Sequence, residues 1–338
     1  MSPRVLIVGA GAIGGVTAAH LARAGHDITV LDANAAHVAA MRDPGLTFDE
    51  LGQVSLVKID AVASASELTG TFDFALVFLK ALYIEPALTP LVERRLVDTY
   101  VSFGNGLVQD TVEQLVGSDR FLIGVVEWGA TNLGVGHLAQ TTVAPFVLGE
   151  KDGTRSRRAE TLAAILSAAA HVRLVDNVLG QVWAKLLLNS TFSGLGAVSG
   201  LTYAEIAADA DGRDAAFRLW AEGYDVSRSL GIELDEVAGI RPESLVVRDA
   251  SDRRSADASL EKLMATLGPT KASMLQDLER GALTEVDVIN GGVTATAAKV
   301  AVSAPLNSRI VDIVHECERG IRTPTRSVLA ELAALPVH

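Results

Sequence analysis

Cysteine is almost absent from the sequence, since Cys317 is the only one among 338 residues. A lone cysteine cannot form an intrachain disulfide, and its neighbours His315, Glu316 and Glu318 do not form a metal-ligand pattern. We therefore expect neither a disulfide framework nor a metal site. A reducing compartment fits this composition best, so a cytoplasmic location is predicted.

Positive charge is also scarce. The chain has 29 Lys and Arg residues against 41 Asp and Glu residues, which gives a formal net charge of -12. Without an overall basic field, the phosphate backbone of nucleic acid and an anionic membrane surface are both poor partners. An anionic ligand would have to find local positive charge. We expect a small-molecule ligand rather than nucleic acid or a membrane.

Long uninterrupted apolar runs are missing as well. The 182–201 stretch has the length of a membrane span, but Lys185, Asn189 and several hydroxyl side chains make it a poor membrane helix. The apolar run after Arg4 is similar in outline to a secretion signal. Spaced glycines interrupt that run and a second strand pattern follows at once, so no targeting segment is expected.

What the sequence does contain is a regular alternation of apolar strands and helices over its first half. At 338 residues the chain is too long for one ordinary core, which favours two domains. Residues 1–175 predict a doubly wound, mainly parallel α/β sheet. From 176 to 338 the pattern changes to long apolar-periodic helices with few strand signals, which predicts an all-α second domain. A homodimer is left open.

The first strand pattern, RVLIV, leads directly into a glycine-rich turn. Gly9, Gly11 and Gly14 form G-x-G-x-x-G, with Ala12 and Ile13 at the start of the helix that follows. In such a turn the first glycine turns the chain, the second lets the backbone approach a pyrophosphate, and the third permits close helix–strand packing. The free N–H groups of the helix N-terminus then hold the anion. This context predicts a dinucleotide-binding domain.

Asp32 ends the second strand pattern, DITVLD, eighteen residues after Gly14. An acid at this place can accept hydrogen bonds from the hydroxyls of the adenosine ribose, although a capping or turn aspartate is the alternative. A carboxylate there would repel the extra phosphate of NADP. Residues 33–41 contain no Lys or Arg that could pair with that phosphate. NAD is therefore the favoured cofactor.

Two further strand patterns end in polar residues. FDFALVFLK is expected to end at Lys80, with a helix from about Pro86, and TYVSFGNG places Asn105 between two glycines. Ligands of open parallel sheets bind beyond the carboxyl ends of the strands, so Lys80 and Asn105 are expected on the cofactor-facing rim. The alternative for Asn105 is a left-handed turn residue. Short strand patterns within 121–150 are expected to complete the sheet, before an amphipathic helix at 154–172.

In the second half, Lys185 and Asn189 are four residues apart and would share one face of a helix whose other positions are apolar. A functional pair is one interpretation; a lysine whose head reaches water is the other. The polar 241–262 region is interpreted as surface helix or loop with solvated arginines, namely Arg248, Arg253 and Arg254. Glu285, Asp287 and Asn290 come just before a helix pattern, where acids also stabilise a helix through its dipole.

These motifs, taken in order, resemble the ketopantoate reductase (2-dehydropantoate 2-reductase) family over nearly the whole chain. The matching segments are GAGAIGG at 9–15, FLKA at 78–81, FGNG at 103–106, WAKLLLN at 183–189 and KASMLQDLERGALTEVDVINGGV at 271–293. The resemblance implies an N-terminal Rossmann domain and a helical C-terminal domain with the active site in the cleft between them. It also implies NAD(P)H-dependent reduction of ketopantoate to pantoate, a step of pantothenate and coenzyme A biosynthesis.

The resemblance also implies roles for individual residues. Lys185 would be the catalytic lysine and general acid, assisted by Asn105 and Asn189, while Ser273 and Glu285 would contact the substrate. Lys80, Asn105 and Glu285 would also lie near the cofactor.

Two positions depart from the family pattern. Ser193 stands where the family has a second asparagine, so it would contact the substrate with a shorter group. NADPH-using members carry an arginine after the second strand, whereas Asp32 is followed here by Ala33 and Asn34. Two rival functions stay open: a reductase of another branched 2-oxo or 2-hydroxy acid, and a dinucleotide sensor without chemistry.

Overall fold

The computed structural model describes residues 2–336 and divides the chain into two compact units. The first unit extends to Gly104 and resumes at Val108–Val178, and the second comprises Asn105–Leu107 and the chain from Leu179 onwards. The second unit thus begins three residues after the boundary expected at 176. It also includes a short segment that the sequence pattern did not separate from the first domain.

The first unit is built on an eight-stranded sheet. Its strands are Arg4–Val8 (β1), Asp27–Leu31 (β2), Ala61–Val62 (β5), Phe72–Val77 (β6), Val97–Ser102 (β7), Phe121–Val126 (β8), Phe146–Gly149 (β11) and Val172–Leu174 (β12). Their order is β12-β11-β8-β7-β6-β1-β2-β5, and every pair is parallel except the antiparallel β8–β11 pair. This is the mainly parallel, doubly wound sheet that the sequence predicts.

A second sheet accompanies the first. It contains Leu46–Glu50 (β3), Gln53–Val57 (β4), Ala130–Gly134 (β9) and His137–Gln140 (β10), in the order β4-β3-β10-β9. The expectation that the strands within 121–150 complete the main sheet is therefore wrong for two of them: β9 lies at the edge of the second sheet, and the pattern HLAQTT forms β10 inside it. This strand pairs in parallel with β3, with His137 opposite Thr47, because Phe48 and Leu138 are both buried in the core of the first unit.

Helices connect these strands. They are Ala12–Arg23 (α1), Ala35–Ala40 (α2), Ala81–Glu93 (α3), Gln109–Val116 (α4) and Arg157–Leu166 (α5). Helix α3 begins at Ala81 rather than near Pro86, and both Pro86 and Pro90 lie inside it. Proline is common at the first position of a helix, and for this reason the pattern favours a start near Pro86. In the structure both prolines lie further along the helix, where each removes one backbone N–H donor. The β6 strand ends at Val77, three residues before Lys80.

The second unit is helical. Its helices are Val178–Leu188 (α6, which starts at the boundary), Gly194–Ser199 (α7), Tyr203–Ala208 (α8), Ala210–Ser229 (α9), Ala250–Leu267 (α10), Ser273–Glu279 (α11), Asn290–Lys299 (α12), Pro305–Glu318 (α13) and Val328–Ala333 (α14). Their core includes Phe192, Trp220 and Ile310, all at most 1% exposed. Within residues 2–336 no helix is long and apolar enough to cross a membrane.

The polar 241–262 region is better packed than expected. The indole N–H of the buried Trp220 donates to the carbonyl of Pro242 at 2.8 Å. Arg253 is paired with Asp214 at 3.0 Å and lies over the ring of Phe217, so it is not simply solvated. Arg248 likewise forms an ion pair with Asp225. The region is an integral layer of the second unit, because its apolar side chains complete the helical core.

The close packing of α1 on β1 can be tested with Gly14→Ala. A Cβ at Gly14 would lie 2.0 Å from the carbonyl oxygen of Gly9, and relieving that contact requires backbone movement. In the control, Gly15→Ala, the new Cβ would lie 2.2 Å from a terminal methyl of Leu138 and 3.0 Å from the carbonyl oxygen of Ala10, so its closest contact is the end of a side chain rather than backbone. We expect Gly14→Ala to lower the free energy of unfolding by about 2 kcal/mol or more and Gly15→Ala by clearly less, in urea denaturation. Equal losses would contradict this packing.

Candidate functional site

The glycine-rich turn has the geometry needed for a phosphate ligand. Gly9 adopts a φ of +91°, where L side chains are strained, and its N–H donates to the carbonyl of Leu31 at 2.9 Å. Gly11 is exposed, and a Cβ built on it would meet no atom within 4 Å. The backbone at Gly11 is therefore open to close approach by a ligand, directly before Ala12 and Ile13 begin α1.

Asp32 lies immediately after β2, and its carboxylate is fixed by two backbone donors. Oδ2 accepts the N–H of Ala10 at 2.7 Å, and Oδ1 accepts the N–H of Asn34 at 2.8 Å. Each oxygen still has a lone pair directed elsewhere, so the carboxylate can accept bonds from ligand hydroxyls as well. The sequence placed Asp32 correctly at this strand end.

A cavity of about 960 Å³ adjoins the carboxyl ends of β1, β2 and β5 in the first unit. Its lining includes Gly9, Asp32 and Asn34, the loop that follows β5, and apolar side chains of α3 such as Tyr83 and Pro86. A cavity of this kind, apolar with a few polar groups at one end, suits a small-molecule or cofactor ligand. Lys80 lies beside it at the start of α3, next to the lining residue Leu79.

Sequence reasoning missed the polar groups of the loop after β5. Ser64 and Ser66 line the cavity together with Arg94, whose guanidinium donates to the carbonyls of Ala65 and Leu68. A signal was present, because Ser64 and Glu67 form the S-x-x-E capping box that the structure contains. The capping box predicts a short helical turn at this place in the chain. It does not predict that the turn lies beside β2 and lines the cavity.

In the second unit, Lys185 lies on α6 and is partly exposed, whereas Val182 and Leu186 are buried. Asn189, four residues later, is also partly exposed and begins a π-helical turn, Asn189–Ser193, that joins α6 to α7. The N–H of Gly194 donates to the carbonyl of Asn189, five residues back. Such π-turns occur often at functional sites, and this one follows directly after the predicted Lys185–Asn189 pair.

A buried chain of amides supports the π-turn. The Nδ2 group of Asn290, the first residue of α12, donates to the Ser190 carbonyl at 2.8 Å and to Asn307 Oδ1 at 2.9 Å. Asn307 in turn donates to Glu222 Oε2 at 2.8 Å. Burial raises the pKa of Glu222, while its N–H donors favour the charged form. The π-turn is therefore held by side chains from three other helices.

Asn105 and Glu285, which are 180 residues apart in the sequence, meet in the second unit. The Nδ2 group of Asn105 donates to Glu285 Oε2 at 3.2 Å. Two residues further on, the N–H of Leu107 donates to the carbonyl of Val288 at 2.9 Å. The left-handed residue of this turn is Gly106, with a φ of +69°, so Asn105 is not there to provide that conformation. The alternative interpretation of Asn105 as a left-handed turn residue is wrong.

Side chains of α13 fix the loop that carries Glu285. Glu318 accepts the N–H and the hydroxyl of Thr284, both at 2.8 Å. His315 contacts Glu318 through Nδ1 and Asp287 through Nε2, each at 2.9 Å. The hydrogen bond to Glu318, with a further contribution from Asp287, raises the pKa of His315 above its ordinary value. Burial disfavours the charged form of Glu318, but its donors outweigh that effect and lower its pKa.

The two predicted serines have different surroundings. Ser273 is exposed and is the first residue of α11. Ser193, by contrast, is 2% exposed, and its Oγ is hydrogen-bonded to the hydroxyl of Tyr203 at 3.1 Å. The expected direct contact of Ser193 with substrate is therefore disfavoured, because its hydroxyl is buried and already has a partner. We interpret Ser193 as a packing residue of the π-turn.

Comparison with known proteins gives matches along the chain. Residues 5–153 match the family model described as Ketopantoate reductase PanE/ApbA, and residues 177–318 match Ketopantoate reductase PanE/ApbA C terminal. A 2-dehydropantoate 2-reductase of Mesorhizobium japonicum is 30% identical, with 94% of this chain and 99% of that protein covered. The corresponding protein of Archaeoglobus fulgidus is 26% identical, with the same coverage of 94% and 99%.

Solved structures are similar over the same length. A ternary structure of D-mandelate dehydrogenase with NADH and anilino(oxo)acetate has a TM-score of 0.81 and 25% identity, covering 94% of this chain and 99% of that chain. A PanE/ApbA family ketopantoate reductase from Ralstonia eutropha JMP134 has a TM-score of 0.80, also at 25% identity and with coverage of 94% and 99%.

The fold, the glycine-rich turn and these matches define an oxidoreductase that acts on CH–OH groups and uses a nicotinamide dinucleotide. Both halves of the chain match the family models, and the 30% identity extends over 94% of its length. The chain belongs to the ketopantoate reductase family. The resemblance seen in the sequence motifs is thereby confirmed.

The support of the Glu285 loop by His315 predicts a pH-dependent stability. A raised pKa of His315 contributes stability that is fully present below the ordinary value of 6.5 and is lost as the pH rises through the folded-state value. The lowered pKa of Glu318 contributes stability that is present above 4.5 and is lost as the pH falls. The thermal midpoint of His315→Gln should therefore fall furthest below that of the wild type between about pH 5 and pH 6.5.

The exposed histidine His171 offers the control, since His171→Gln removes an imidazole outside this cluster. The loss in His315→Gln should be modest, about 1 kcal/mol or less, because solvent screens a partly exposed imidazole. A difference from the wild type that is the same at pH 5.5 and pH 9 would show that the ionised pair does not hold the loop.

Proposed function

We propose that the protein reduces a 2-oxo acid to the 2-hydroxy acid, with ketopantoate as the first candidate substrate and pantoate as its product. In this proposal the first unit holds the reduced dinucleotide through Gly9, Gly11, Gly14, Ala12, Ile13, Asp32 and Lys80. The second unit holds the oxo acid and supplies the proton. The hydrogen bond between Asn105 and Glu285 carries the proposal, because it joins two residues, far apart in the sequence, that the family resemblance assigns to the site.

The residues of the first unit fit a dinucleotide. Gly11 leaves open space at the N-terminus of α1, and Asp32 presents a fixed carboxylate to the adjoining cavity. When bound, the reduced dinucleotide supplies the hydride. The N–H groups at the start of α1 hold its pyrophosphate, and Asp32 accepts hydrogen bonds from its ribose.

Lys185 supplies the proton. As the carbonyl carbon of the substrate accepts hydride, its oxygen becomes negative and needs both a nearby positive charge and a proton. The ammonium of Lys185 provides both. Lys185 is partly exposed on α6, whereas Val182 and Leu186 of the same helix are buried. Asn189, four residues later, is the first residue of the π-turn. Its amide donates a hydrogen bond to the substrate or accepts one from it.

The remaining polar residues orient the oxo acid. Glu285, with one oxygen bonded to Asn105, accepts a hydrogen bond from a hydroxyl of the substrate. Asn105, Asn189 and Ser273 contact the carbonyl and carboxylate side. Ser273 is suited to this because it is exposed at the start of α11.

A second substrate class is favoured by a specific observation. D-mandelate dehydrogenase, whose ternary structure contains NADH and anilino(oxo)acetate, is as similar to this chain in sequence as the ketopantoate reductase from Ralstonia eutropha, at 25% identity each. Ser193, where the family pattern has an asparagine, is withdrawn into the core. A bulkier 2-oxo acid is therefore the alternative substrate.

We also propose a preference for NAD over NADP. The carboxylate of Asp32 would repel a phosphate on the adenosine ribose, and residues 33–41 offer no cation to bind it. A cation, Arg94, does line the same cavity, but its guanidinium donates to the carbonyls of Ala65 and Leu68. It is therefore already engaged in holding the loop after β5.

The direct test of the function is the consumption of NADH and of NADPH with ketopantoate and a panel of aliphatic and aromatic 2-oxo acids. We expect turnover of ketopantoate, with a higher kcat/KM for NADH than for NADPH. Turnover of an aromatic 2-oxo acid in place of ketopantoate would support the second candidate. Binding of dinucleotide without turnover of any oxo acid would contradict both.

The role of Lys185 is tested with Lys185→Met, which keeps an apolar stem and removes the ammonium. General acid catalysis contributes about 10²–10⁴-fold, so kcat should fall within that range while NADH affinity stays near that of the wild type. The control is Lys299→Met, at an exposed lysine of α12 in the same unit, which should leave kcat unchanged. A Lys185→Met variant with wild-type turnover would exclude Lys185 as the acid.

A further inference from the structure

His37 is a buried histidine in the first unit that no motif of the family resemblance includes. It lies on α2 and is 3% exposed, and both of its ring nitrogens have backbone partners. Nε2 is 2.9 Å from the carbonyl oxygen of Ala10, and Nδ1 is 2.9 Å from the backbone nitrogen of Gly136. The imidazole thus bridges the glycine-rich turn and the turn between β9 and β10.

These partners fix the tautomer of the ring. A backbone N–H can only donate, so Nδ1 of His37 must be the acceptor from Gly136. A carbonyl oxygen can only accept, so Nε2 must carry the hydrogen that faces Ala10. The geometry therefore requires a neutral imidazole with its proton on Nε2, since a second proton on Nδ1 would face the N–H of Gly136.

The contact with Ala10 controls the orientation of a peptide group. The Ala10–Gly11 peptide is planar and trans, so its carbonyl and its N–H point in opposite directions. His37 binds the carbonyl, so the Gly11 N–H of the same trans peptide points away from the buried imidazole. The space beside the Gly11 Cα is open, since a Cβ built there would meet no atom within 4 Å. The preceding peptide is fixed in the same way, because Asp32 accepts the N–H of Ala10 at 2.7 Å.

The far side of the bridge is itself well anchored. Gly136 adopts a φ of +69°, and its carbonyl accepts the N–H of Thr47 in β3 at 2.8 Å. A Cβ at Gly136 would lie 2.6 Å from the Cβ of Ala40, so this turn packs directly on α2. The second sheet therefore fixes the position of the His37 imidazole, which in turn contacts the glycine-rich turn.

We infer that His37 is a positioning residue for dinucleotide binding, which holds the Ala10–Gly11 peptide so that the Gly11 N–H meets the pyrophosphate. It does not touch the ligand and acts through the backbone of the turn. This inference rests on the proposal that the glycine-rich turn holds the dinucleotide.

The test compares His37→Phe, which keeps an aromatic ring and removes both hydrogen bonds, with His37→Gln, whose amide can still donate to the Ala10 carbonyl. NADH affinity is followed by fluorescence titration. A backbone hydrogen bond of this kind has a net effect that corresponds to about 3- to 10-fold in affinity, so His37→Phe should raise the Kd by that factor. His37→Gln should restore most of the affinity.

His20 provides the matched control. It is also a buried histidine of the first unit, 5% exposed, and its Nε2 is bonded to Gln140 Oε1 at 2.9 Å, away from the glycine-rich turn. His20→Phe should lower the thermal midpoint without changing the NADH Kd. Equal Kd values for His37→Phe and the wild type, or an equal rise in His20→Phe, would overturn the inference.

Two further outcomes keep the test decisive. If His37→Phe does not fold, the tautomer of His37 is read from the ¹⁵N chemical shifts of the wild-type ring, which are assigned by the signal that is lost in His37→Gln. A proton on Nε2 in the NADH complex supports the inference, and a proton on Nδ1 overturns it. If the wild type binds neither NADH nor NADPH, the proposed function itself fails. Binding by the wild type with no effect of His37→Phe refutes only the role of His37.

Discussion

The hydrogen bond from Asn105 to Glu285 is the interaction on which the candidate site depends. It joins the turn after β7 to the loop before α12 at 3.2 Å, across 180 residues of sequence. Through this bond and the adjacent contact of Leu107 with Val288, a three-residue segment is packed into the second unit.

The candidate residues lie mainly where regular structure ends, and buried polar side chains hold those places. The π-turn that begins at Asn189 is supported by Asn290, which binds the carbonyl of Ser190. The Glu285 loop is supported by Glu318. In each case a side chain from another element binds a backbone group of the irregular segment and so fixes its position. Among the described residues, Asn290 Oδ1 and Thr191 Oγ1 are buried beside the π-turn without a hydrogen-bond partner.

The sequence was sufficient where local patterns decide the structure. The glycine-rich turn, the position of Asp32 after β2 and the place of Lys185 on a helix all follow from local sequence patterns. It was insufficient where distant segments decide: the second sheet depends on a parallel pairing of residues 47–50 with 137–140, which no local periodicity reveals. The partners of His37 could not be predicted for the same reason, because Gly136 is 99 residues away. The sequence likewise suggests that Ser193 contacts the substrate, because its burial against Tyr203 depends on the packing of the folded chain and leaves no sign in the local sequence.

The measurement that tests the central claim most directly is a double-mutant cycle on Asn105 and Glu285. Both single variants, Asn105→Ala and Glu285→Ala, and the double variant are compared by kcat/KM on the substrate that the enzyme turns over. If the hydrogen bond orients Glu285 for the substrate, the two effects will be coupled by about 1 kcal/mol or more, and the double variant will lose less than the sum. Strictly additive losses would show that the two residues act independently and would contradict the account.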